Sequence, residues 1–372
     1  MKEQRLFVAL LTCLLIFGLT ACEKDDTTDF TGYINNPEPQ ENPGTPSDTI
    51  GKDPVVEAGS DTLYVVYDGT TATVTGDTHD YVTVSGADVT VNAMEADTTM
   101  LIVLSGSTSD GSLLVFRQKP FTLRLNGVSI TNPDGPAINN QCGKWLYVDV
   151  AEGTENTLTD GESYTEQSFD QKGTFFSEGQ ICFQGTGKLT VSGYAKSGIV
   201  SDDYIVIDNG VLAVSVTSDG GKGVKANDGV TINGGNITIT TSGDCKIEEK
   251  DGVKDTTSAA GIKSDSTFVM TGGRLTIKSS GDGGKGITSN GNVEFSGGTL
   301  NVTTTGSNDV GKPKGIKSDT DIIVSGGSFT VNVDKSWACD NGKETEVPSE
   351  RLTIKGEPVT KTLKKKSVVI KY

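Results

Sequence analysis

The chain has 372 residues, and its 32 Lys and Arg residues against 49 Asp and Glu residues give a formal net charge of −17 and a pI near 4.5. An acidic chain of this kind, with no basic cluster before its C-terminal end, is a poor candidate for binding nucleic acid. Hydrophobic residues make up only 34% and aromatic residues 6%, whereas glycine is abundant at 47 residues. This composition excludes several thick globular cores and favours thin, repeated layers of β structure.

His79 is the only histidine of the sequence. A zinc or non-haem iron centre with several histidine ligands is therefore excluded within one chain. A Ser-His-Asp or Cys-His triad would have to use this residue, which lies in a threonine-rich stretch. Any catalysis would rest on carboxylates, lysine, arginine or a calcium-type cation.

Residues 1–21 have the features of a bacterial lipoprotein signal peptide. Lys2 and Arg5 precede an apolar run over residues 6–19, which is too short for an ordinary membrane span. The run leads into the motif LTAC, which resembles a lipobox whose cysteine, Cys22, becomes the lipidated first residue. An ordinary secretory signal peptide is the alternative.

Residues 22–60 are expected to form a disordered, flexible tether, because a proline-rich polar segment cannot bury a core. The acidic residues directly after Cys22 resemble the surface-export signal of some Gram-negative lipoproteins. The expected location is therefore the outer membrane, with the protein exposed on the cell surface and held by a lipid anchor. A lipoprotein that faces the periplasm is the alternative.

The strongest pattern is a repeat that starts near Ser197 and occurs five times. Each repeat has a glycine, an aliphatic residue, a small residue and an Asp or Asn in fixed positions, and a second glycine 12 residues after the first. The first glycines of the repeats are Gly198, Gly223, Gly261, Gly286 and Gly315. Apolar residues alternate between the glycines, which is typical of strands with one buried face.

Equivalent residues that recur in every repeat predict a parallel β-helix, in which successive turns of chain stack in register. Ile232, Met270 and Phe295 are then expected in one column. The glycine pairs, such as Gly234 with Gly235, should form a corner where φ is positive. The first glycines are 25, 38, 25 and 29 residues apart, with all variation after the second strand, so insertions should emerge along one edge.

Three stretches together carry a resemblance to a known family: LNGVSITNPDGPAI at residues 125–138, AEGTENTLTDG at residues 151–161, and the repeats from Gly198. They resemble the secreted carbohydrate-binding domain-containing proteins, which are right-handed β-helices similar to pectate lyases. The resemblance covers roughly residues 60–340. It implies an all-β, right-handed, single-stranded parallel β-helix that binds cellulose or polygalacturonate without cleaving it, and an association with calcium.

This interpretation divides the chain into five parts. After the signal peptide and the tether, residues 61–120 are expected to form an N-terminal β cap with the first coils. Residues 121–345 would be the β-helical carbohydrate-binding domain, and residues 346–372 a C-terminal cap strand.

Lysines recur at two positions of the repeat and are the candidate ligand-binding residues. A basic ladder of this kind would attract uronate carboxylates by Coulomb forces, although solvated lysines are the alternative. In a lyase, one lysine with a lowered pKa would abstract the C5 proton of the sugar, but the sequence singles out none. The ladder consists of Lys222, Lys285 and Lys314 before the first glycine, and Lys225, Lys263 and Lys317 after it.

Aspartates in the loops between repeats are the candidate calcium ligands, because calcium prefers several oxygen ligands. They are Asp219, Asp244, Asp282 and Asp309. Solvated turn residues are the alternative. Many family members carry an aspartate directly before the first glycine, and this chain does not. The Asp and Asn residues inside the repeats, from Asp202 to Asp319, are expected to cap exposed backbone.

Other features are candidates for specificity. Residues 243–255 form the longest and most charged insertion. Trp337 is a candidate for stacking on sugar rings, as are Trp145, Tyr194 and Tyr204, with a place in the core as the alternative. The pairing of Cys142, Cys182, Cys245 and Cys339 cannot be read from the sequence.

The sequence therefore favours a surface lipoprotein whose partners are a polysaccharide and the membrane. Two alternatives stay open: a surface adhesin or structural protein with a protein partner, and a calcium-dependent polysaccharide lyase.

Overall fold

A computed structural model describes residues 61–250, 252–341, 352–354, 357–358 and 367–371. The expected signal peptide, the lipidation site Cys22 and the tether lie outside these residues, as does most of the chain after residue 341. The described part is all-β and contains strands, turns and bends without a helix. It follows that no helix in this part is long and apolar enough to span a membrane.

Each repeat contributes three strands, and each strand pairs in parallel with its counterpart in the next repeat. We call the three sets of strands the first, second and third face. The strands of the first face are Leu146–Val150, Ile181–Gly185, Ile205–Ile207, Val230–Ile232, Phe268–Met270, Val293–Phe295 and Ile322–Val324. Those of the second face are Glu155–Asp160, Lys188–Gly193, Val211–Val216, Asn236–Thr241, Arg274–Ser279, Thr299–Thr304 and Ser328–Val333. Those of the third face are Ala87–Ala93, Gly111–Arg117, Ile138–Asn140, Gly173–Ser177, Ser197–Ser201, Lys222–Ala226, Ala260–Ser264, Lys285–Ser289, Lys314–Ser318 and Trp337–Asp340.

Near the N-terminal end the first and second faces are joined by longer strands. Phe121–Asn132 pairs with Leu146–Val150 through its first half and with Glu155–Asp160 through its second half. Met100–Thr108 pairs with it in parallel, and Asp61–Gly69 pairs in parallel with Met100–Thr108.

Antiparallel strands occur at both ends of the stack and in one insertion. Thr71–Thr75 and Val82–Ser85 pair antiparallel with the first strands at the N-terminal end. At the other end, Ser367–Lys371 pairs antiparallel with Ser328–Val333. These strands take up backbone groups that an open sheet edge would expose. The remaining strands are Leu352–Ile354 with Glu357–Pro358, and the hairpin Lys246–Lys250 with Val253–Thr257.

The predicted columns of core residues are confirmed. Ile232 pairs with Met270, and Met270 with Phe295, and all three side chains are fully buried. Alternation explains this placement, because every second residue of a short strand points to the same side. Each further repeat therefore adds one apolar layer to a core shared with its neighbours.

The predicted glycine corner is also confirmed, and the second glycine of each pair carries the positive φ. Gly235 has φ 79° and Gly273 has φ 71°. A Cβ at Gly273 would lie 2.5 Å from the carbonyl oxygen of Gly234, so stacking leaves no room for a side chain there.

All four described cysteines, Cys142, Cys182, Cys245 and Cys339, are buried and free.

Candidate functional site

The six predicted lysines lie together on the outer side of the third face, and we call them the lysine surface. Lys225 pairs with Lys263, and the same column continues through Thr288 to Lys317. A second column runs from Lys222 through Ala260 to Lys285 and Lys314. Four successive strands thus carry at least one lysine each.

The local sequence explains how these strands present their lysines. Val224 and Ala226 point into the core, so the residue between them, Lys225, points outward. Gly223 lies where a Cβ would approach Cγ2 of Ile239 to 2.2 Å, so no side chain fits there. The pair Lys-Gly therefore places a lysine at the edge of the strand, and at Lys222 and Lys314 a second lysine follows three residues later.

The lysines of this surface repel one another, which disfavours their charged forms. The pKa of Lys222 is lowered to about 8, first by burial and then by repulsion from Lys225, Lys263 and Lys285. The pKa of Lys285 is also lowered, again mainly by burial and then by repulsion from Lys317. Concentrated positive charge in a chain that is acidic overall makes this face attractive to anions.

Half of the lysine surface is neutralised by carboxylates. Lys263 donates to Asp265 at 2.6 Å, and Lys317 lies 3.0 Å from Asp319. Lys314 is buried between Asp340, whose carboxylate is 2.5 Å away, and the ring of Trp337, whose centre is 3.8 Å away.

The other three lysines have no such partner. Among the described residues, no carboxylate lies within 4.0 Å of Lys222, Lys225 or Lys285. The ammonium of Lys222 donates to the carbonyl of Gly220 at 2.5 Å, and that of Lys285 to the hydroxyl of Ser258 at 2.6 Å. We call Lys222, Lys225 and Lys285 the open lysines, because no described carboxylate forms an ion pair with them.

The Asp and Asn residues inside the repeats bond to one another across neighbouring strands. The side-chain amide of Asn227 donates to Asp202 at 3.0 Å, and that of Asn290 donates to Asp265 at 3.2 Å. Alternation of Asp with Asn keeps like charges from facing each other directly. The sequence suggested backbone capping for this series, whereas these contacts join side chains of adjacent repeats.

The predicted calcium ligands form a column along the edge from which the insertions emerge. Asp219 accepts the backbone N–H of Asp244 at 2.9 Å, and Asp244 accepts that of Asp282 at 2.7 Å. Asp282 in turn accepts the N–H of Ser307 at 2.9 Å, two residues before Asp309. Each of these bonds uses one carboxylate oxygen, and among the described residues no three of the four aspartates bring ligand atoms within 4.8 Å of one another. The structure therefore aligns the predicted calcium ligands along one edge without gathering them into a metal-ligand group.

A second group of carboxylates was missed by the sequence reasoning. Asp170, Glu178 and Asp202 have ligand atoms within 4.8 Å of one another and could hold a metal ion. Lys172 already places its ammonium 2.6 Å from Asp170 and from Asp202, so an added cation would compete with it. Burial, followed by repulsion from Asp202 and Asp170, raises the pKa of Glu178 to about 7.

Asp170 and Lys172 come from a segment without strands, residues 161–172, which we call the strap. The strap covers the third face next to the lysine surface. Phe169 meets the ring of Phe116 edge-on at 5.8 Å, and the ammonium of Lys172 lies 5.5 Å from the ring centre of Phe176. Val200, which pairs with Lys225, is fully buried. The lysine surface therefore begins where the strap ends.

The insertion at residues 243–255 forms most of the hairpin Lys246–Lys250 with Val253–Thr257, which packs near the lysine surface. A Cβ at Gly220 would lie 3.2 Å from Thr257 and 3.3 Å from Lys246, so the base of the hairpin packs over the loop that leads to Lys222. Of the four aromatic candidates, Tyr194 is 46% exposed and Trp337 lies beneath Lys314, while Trp145 and Tyr204 belong to the first face.

Comparisons with known proteins relate this geometry to a family. A family model described as "Carbohydrate-binding domain-containing protein" matches residues 85–354. A protein of the same description from Acetivibrio thermocellus is 31% identical over 136 residues, which are 35% of this chain and 48% of that protein. The match thus spans about half the length of this curated relative. A solved structure described as the polysaccharide lyase-like protein from C. thermocellum, gadolinium derivative, superimposes with a TM-score of 0.56 at 26% identity, and the match covers 70% of this chain and 96% of that one.

Proposed function

The chain belongs to the family of carbohydrate-binding domain-containing proteins, and on this premise we propose that it binds an acidic polysaccharide, such as polygalacturonate, without cleaving it. The observation that carries the proposal is the set of open lysines, Lys222, Lys225 and Lys285, on one face of a chain with a net charge of −17. A polyuronate carries one carboxylate on each sugar. The open lysines lie on two strands with one strand between them, and paired strands are about 4.8 Å apart, so an extended chain along the stack meets open lysines at about 9.6 Å intervals.

The affinity for an acidic polysaccharide should depend on the salt concentration and on the number of contacts along the chain. Ammonium and carboxylate groups at a protein surface attract each other modestly, and salt screens the attraction over about 10 Å. Several such contacts along one chain add up, since a polymer that is held at one sugar keeps its neighbours close to the next lysine.

We also propose that the stacked repeats form a right-handed, single-stranded parallel β-helix. In-register parallel pairing of every repeat supports this architecture. The similarity to the polysaccharide lyase-like structure supports it as well.

Calcium is the proposed cofactor. Its proposed ligands are oxygens of Asp219, Asp244, Asp282 and Asp309, which follow one another along the insertion edge, together with loop carbonyls. The group of Asp170, Glu178 and Asp202 is the alternative metal site, because its ligand atoms lie within 4.8 Å of one another. Bound there, the ion would supply positive charge for uronate carboxylates.

The proposed setting is the cell surface. A signal peptide over residues 1–21, lipidation of Cys22 and a tether would attach the domain to the outer membrane, with the polysaccharide on the outside.

A calcium-dependent polysaccharide lyase is the second candidate function, and Lys222 is the observation that favours it. With its pKa near 8, this amine exists partly in the neutral form at neutral pH and could accept the C5 proton of a bound uronate. In a lyase, elimination of the neighbouring glycosidic oxygen would then leave a double bond in the new non-reducing sugar.

A glycan array that is read with and without a chelator tests both candidates. We expect binding to polygalacturonate that weakens with added salt, and a loss of affinity with chelator if calcium takes part. Absence of binding to every acidic and neutral glycan would overturn the proposal. Appearance of the ultraviolet absorbance of an unsaturated uronate, abolished in Lys222→Ala, would instead establish the lyase.

A further inference from the structure

A serine and a lysine form a close pair inside the lysine surface. The ammonium of Lys285 donates to Oγ of Ser258 at 2.6 Å. Ser258 directly follows the hairpin and lies two residues before Ala260, which pairs with Lys285 on the next strand. Both Ser258 and Lys285 are half-buried, so the pair lies at the protein surface and not inside the core. A distance of 2.6 Å allows the proton to be exchanged between a hydroxyl and an amine.

A third group fixes the orientation of the serine. The thiol of Cys245 donates to the same Oγ at 3.4 Å. Cys245 is itself held in place, because it is buried and its N–H donates to the carbonyl of Asp282 at 2.9 Å. A Cβ at Gly311 would lie 2.7 Å from its Sγ, so this glycine makes room for the thiol. Ser258 thus has one partner at the base of the hairpin and one on the third face.

The surroundings of Lys285 favour its neutral amine form. Burial lowers the pKa of Lys285 below its ordinary value. Repulsion from other lysines of the third face lowers this pKa further, while the thiol of Cys245 acts in the opposite direction. The repelling lysines are Lys317, Lys314 and Lys263. An amine that gives up its proton more readily than an ordinary lysine can accept one from a hydroxyl group.

The Ser258–Lys285 pair lies between two of the open lysines. Lys222 and Lys285 belong to one column with Ala260 between them, so their strands are about 9.6 Å apart. Ser258 leads into the middle strand of the three. The charges of Lys222 and Lys285 act on each other across this space, since repulsion from Lys285 contributes to the lowered pKa of Lys222. A negative charge that develops there during a reaction is stabilised by the same field.

From this geometry we infer that Ser258 and Lys285 form a catalytic dyad that hydrolyses carboxylic esters carried by an acidic polysaccharide. The amine of Lys285 takes the Oγ proton while Oγ attacks the carbonyl carbon of the ester. The bond from that carbon to the alcohol oxygen then breaks, and the alcohol leaves with the proton from Lys285. A water molecule passes a proton to Lys285 and attacks the acylated serine, and Oγ recovers this proton as the acyl bond breaks.

The balance of this reaction is one ester and one water consumed, and one carboxylic acid and one alcohol formed. The glycosidic bonds stay intact, so the activity goes beyond the proposed binding and rests on it only for the polymer that presents the ester. Uronate methyl esters and O-acetyl groups share this ester chemistry. Methanol is the alcohol released from the first, and acetate is the acid released from the second.

Hydrolysis by the full chain tests the inference with methyl-esterified polygalacturonate, O-acetylated polygalacturonate and the small ester p-nitrophenyl acetate. We expect release of methanol or acetate from one of the polymers, together with hydrolysis of the small ester. Ser258→Ala should lower these rates by at least about 100-fold. Ser215→Ala is the matched control, because this serine is exposed on the second face and should leave the rates unchanged. Hydrolysis of the small ester alone would overturn the assignment of the substrate.

A charge-conserving variant separates catalysis from binding. Lys285→Arg keeps the positive charge, but its guanidinium does not give up a proton to become a base. We expect hydrolysis to fall by at least about 100-fold and the affinity for polygalacturonate to stay the same. In the unchanged protein the rate should rise with pH as Lys285 loses its proton. Full activity in either Ser258→Ala or Lys285→Arg would overturn the dyad.

Covalent labelling gives a readout that needs no variant. A fluorophosphonate forms a bond to the oxygen of an activated serine and releases fluoride. Mass spectrometry of the labelled protein should find the phosphonate on Ser258 and none on Ser215. An unlabelled Ser258, or no hydrolysis of either polymer, would overturn the inference and leave the proposed function intact if polygalacturonate still binds. Hydrolysis of a polymer that depends on Ser258, without measurable binding of polygalacturonate, would support the dyad and count against the proposed function.

Discussion

Lys314 and Asp340, on neighbouring strands of the third face, form a buried ion pair with 2.5 Å between ammonium and carboxylate. Lys314 is only 5% exposed, although the sequence places it in the same ladder as the open lysines. The charge of Lys314 is therefore neutralised by Asp340 within the protein. The lysine surface accordingly has an end at Lys314 that is paired within the protein, and a part around Lys222 and Lys225 where the described residues provide no ion pair.

Loss of the Asp340 carboxylate should be costly. We expect Asp340→Ala to lower the free energy of unfolding by about 3–5 kcal/mol, because it removes the carboxylate that lies 2.5 Å from the buried Lys314 ammonium. Urea denaturation measures the change. Glu155→Ala is the control, since its ion pair with Lys188 is exposed and should contribute less than about 1 kcal/mol. Equal effects of the two substitutions would contradict the assignment.

Removal of one open lysine should weaken binding of acidic glycan. We expect Lys225→Ala to reduce the affinity for polygalacturonate about fivefold, and to make the remaining binding less sensitive to salt. Isothermal titration at two salt concentrations gives both quantities. Lys188→Ala removes a lysine on the second face and should leave the affinity unchanged. A loss as large in Lys188→Ala would point to net charge rather than to the lysine surface.

The pH dependence of binding should follow Lys222. Its pKa near 8 means that the ammonium form, which attracts carboxylates, is lost as pH rises through that value. We expect the affinity for polygalacturonate to fall between about pH 7 and about pH 9. Lys222→Arg keeps its charge over this range and should flatten the profile. A profile that stays the same in Lys222→Arg would assign the titration to another group.

Stability should depend on pH through Glu178. Its pKa in the folded protein, about 7, lies above the ordinary value of 4.5, so the folded state holds a proton that the unfolded state has already released. The stability that this proton contributes is therefore fully present below about pH 4.5 and is lost as pH rises through about 7. We expect Glu178→Gln, which cannot ionise, to raise Tm by a few degrees at pH 8 and by less at pH 5. Calorimetry of both proteins checks this, and an equal change at the two pH values would contradict it.

Truncation of a stacked core residue should destabilise the fold. Phe295 is fully buried and meets Phe329 edge-on at 5.6 Å. We expect Phe295→Ala to cost about 3–5 kcal/mol in chemical denaturation. Glu294→Ala, on the outer side of the same strand, should cost less than about 1 kcal/mol. Similar costs for both would mean that the columns do not define the core.

The repeats could be predicted from the sequence because their physical cause is local and recurs. Glycine pairs such as Gly272 with Gly273 mark the corners, and alternating residues mark the buried side. In-register stacking then follows from identical spacing, and the structure confirms it for Ile232, Met270 and Phe295.

The partners of the site residues could not be predicted, since they come from outside the repeat pattern. Asp170 and Lys172 reach Asp202 from the strap, a segment with neither glycine spacing nor alternation. Asp340 neutralises Lys314 from the strand after the last full repeat. A ladder of lysines can thus be read from the sequence, but which of them keep their charge for a ligand depends on contacts between distant segments.

The lysine surface has two fixed boundaries. The strap ends it at Val200, and the ion pair between Lys314 and Asp340 ends it at Lys314. The number of repeats between them sets how many sugars fit. Affinity for uronate oligomers should therefore climb with chain length and then level off, and duplication of one complete repeat would move that plateau by about one strand spacing, 4.8 Å. Gene duplication of a single repeat thus offers a simple evolutionary route to a longer footprint on the polymer.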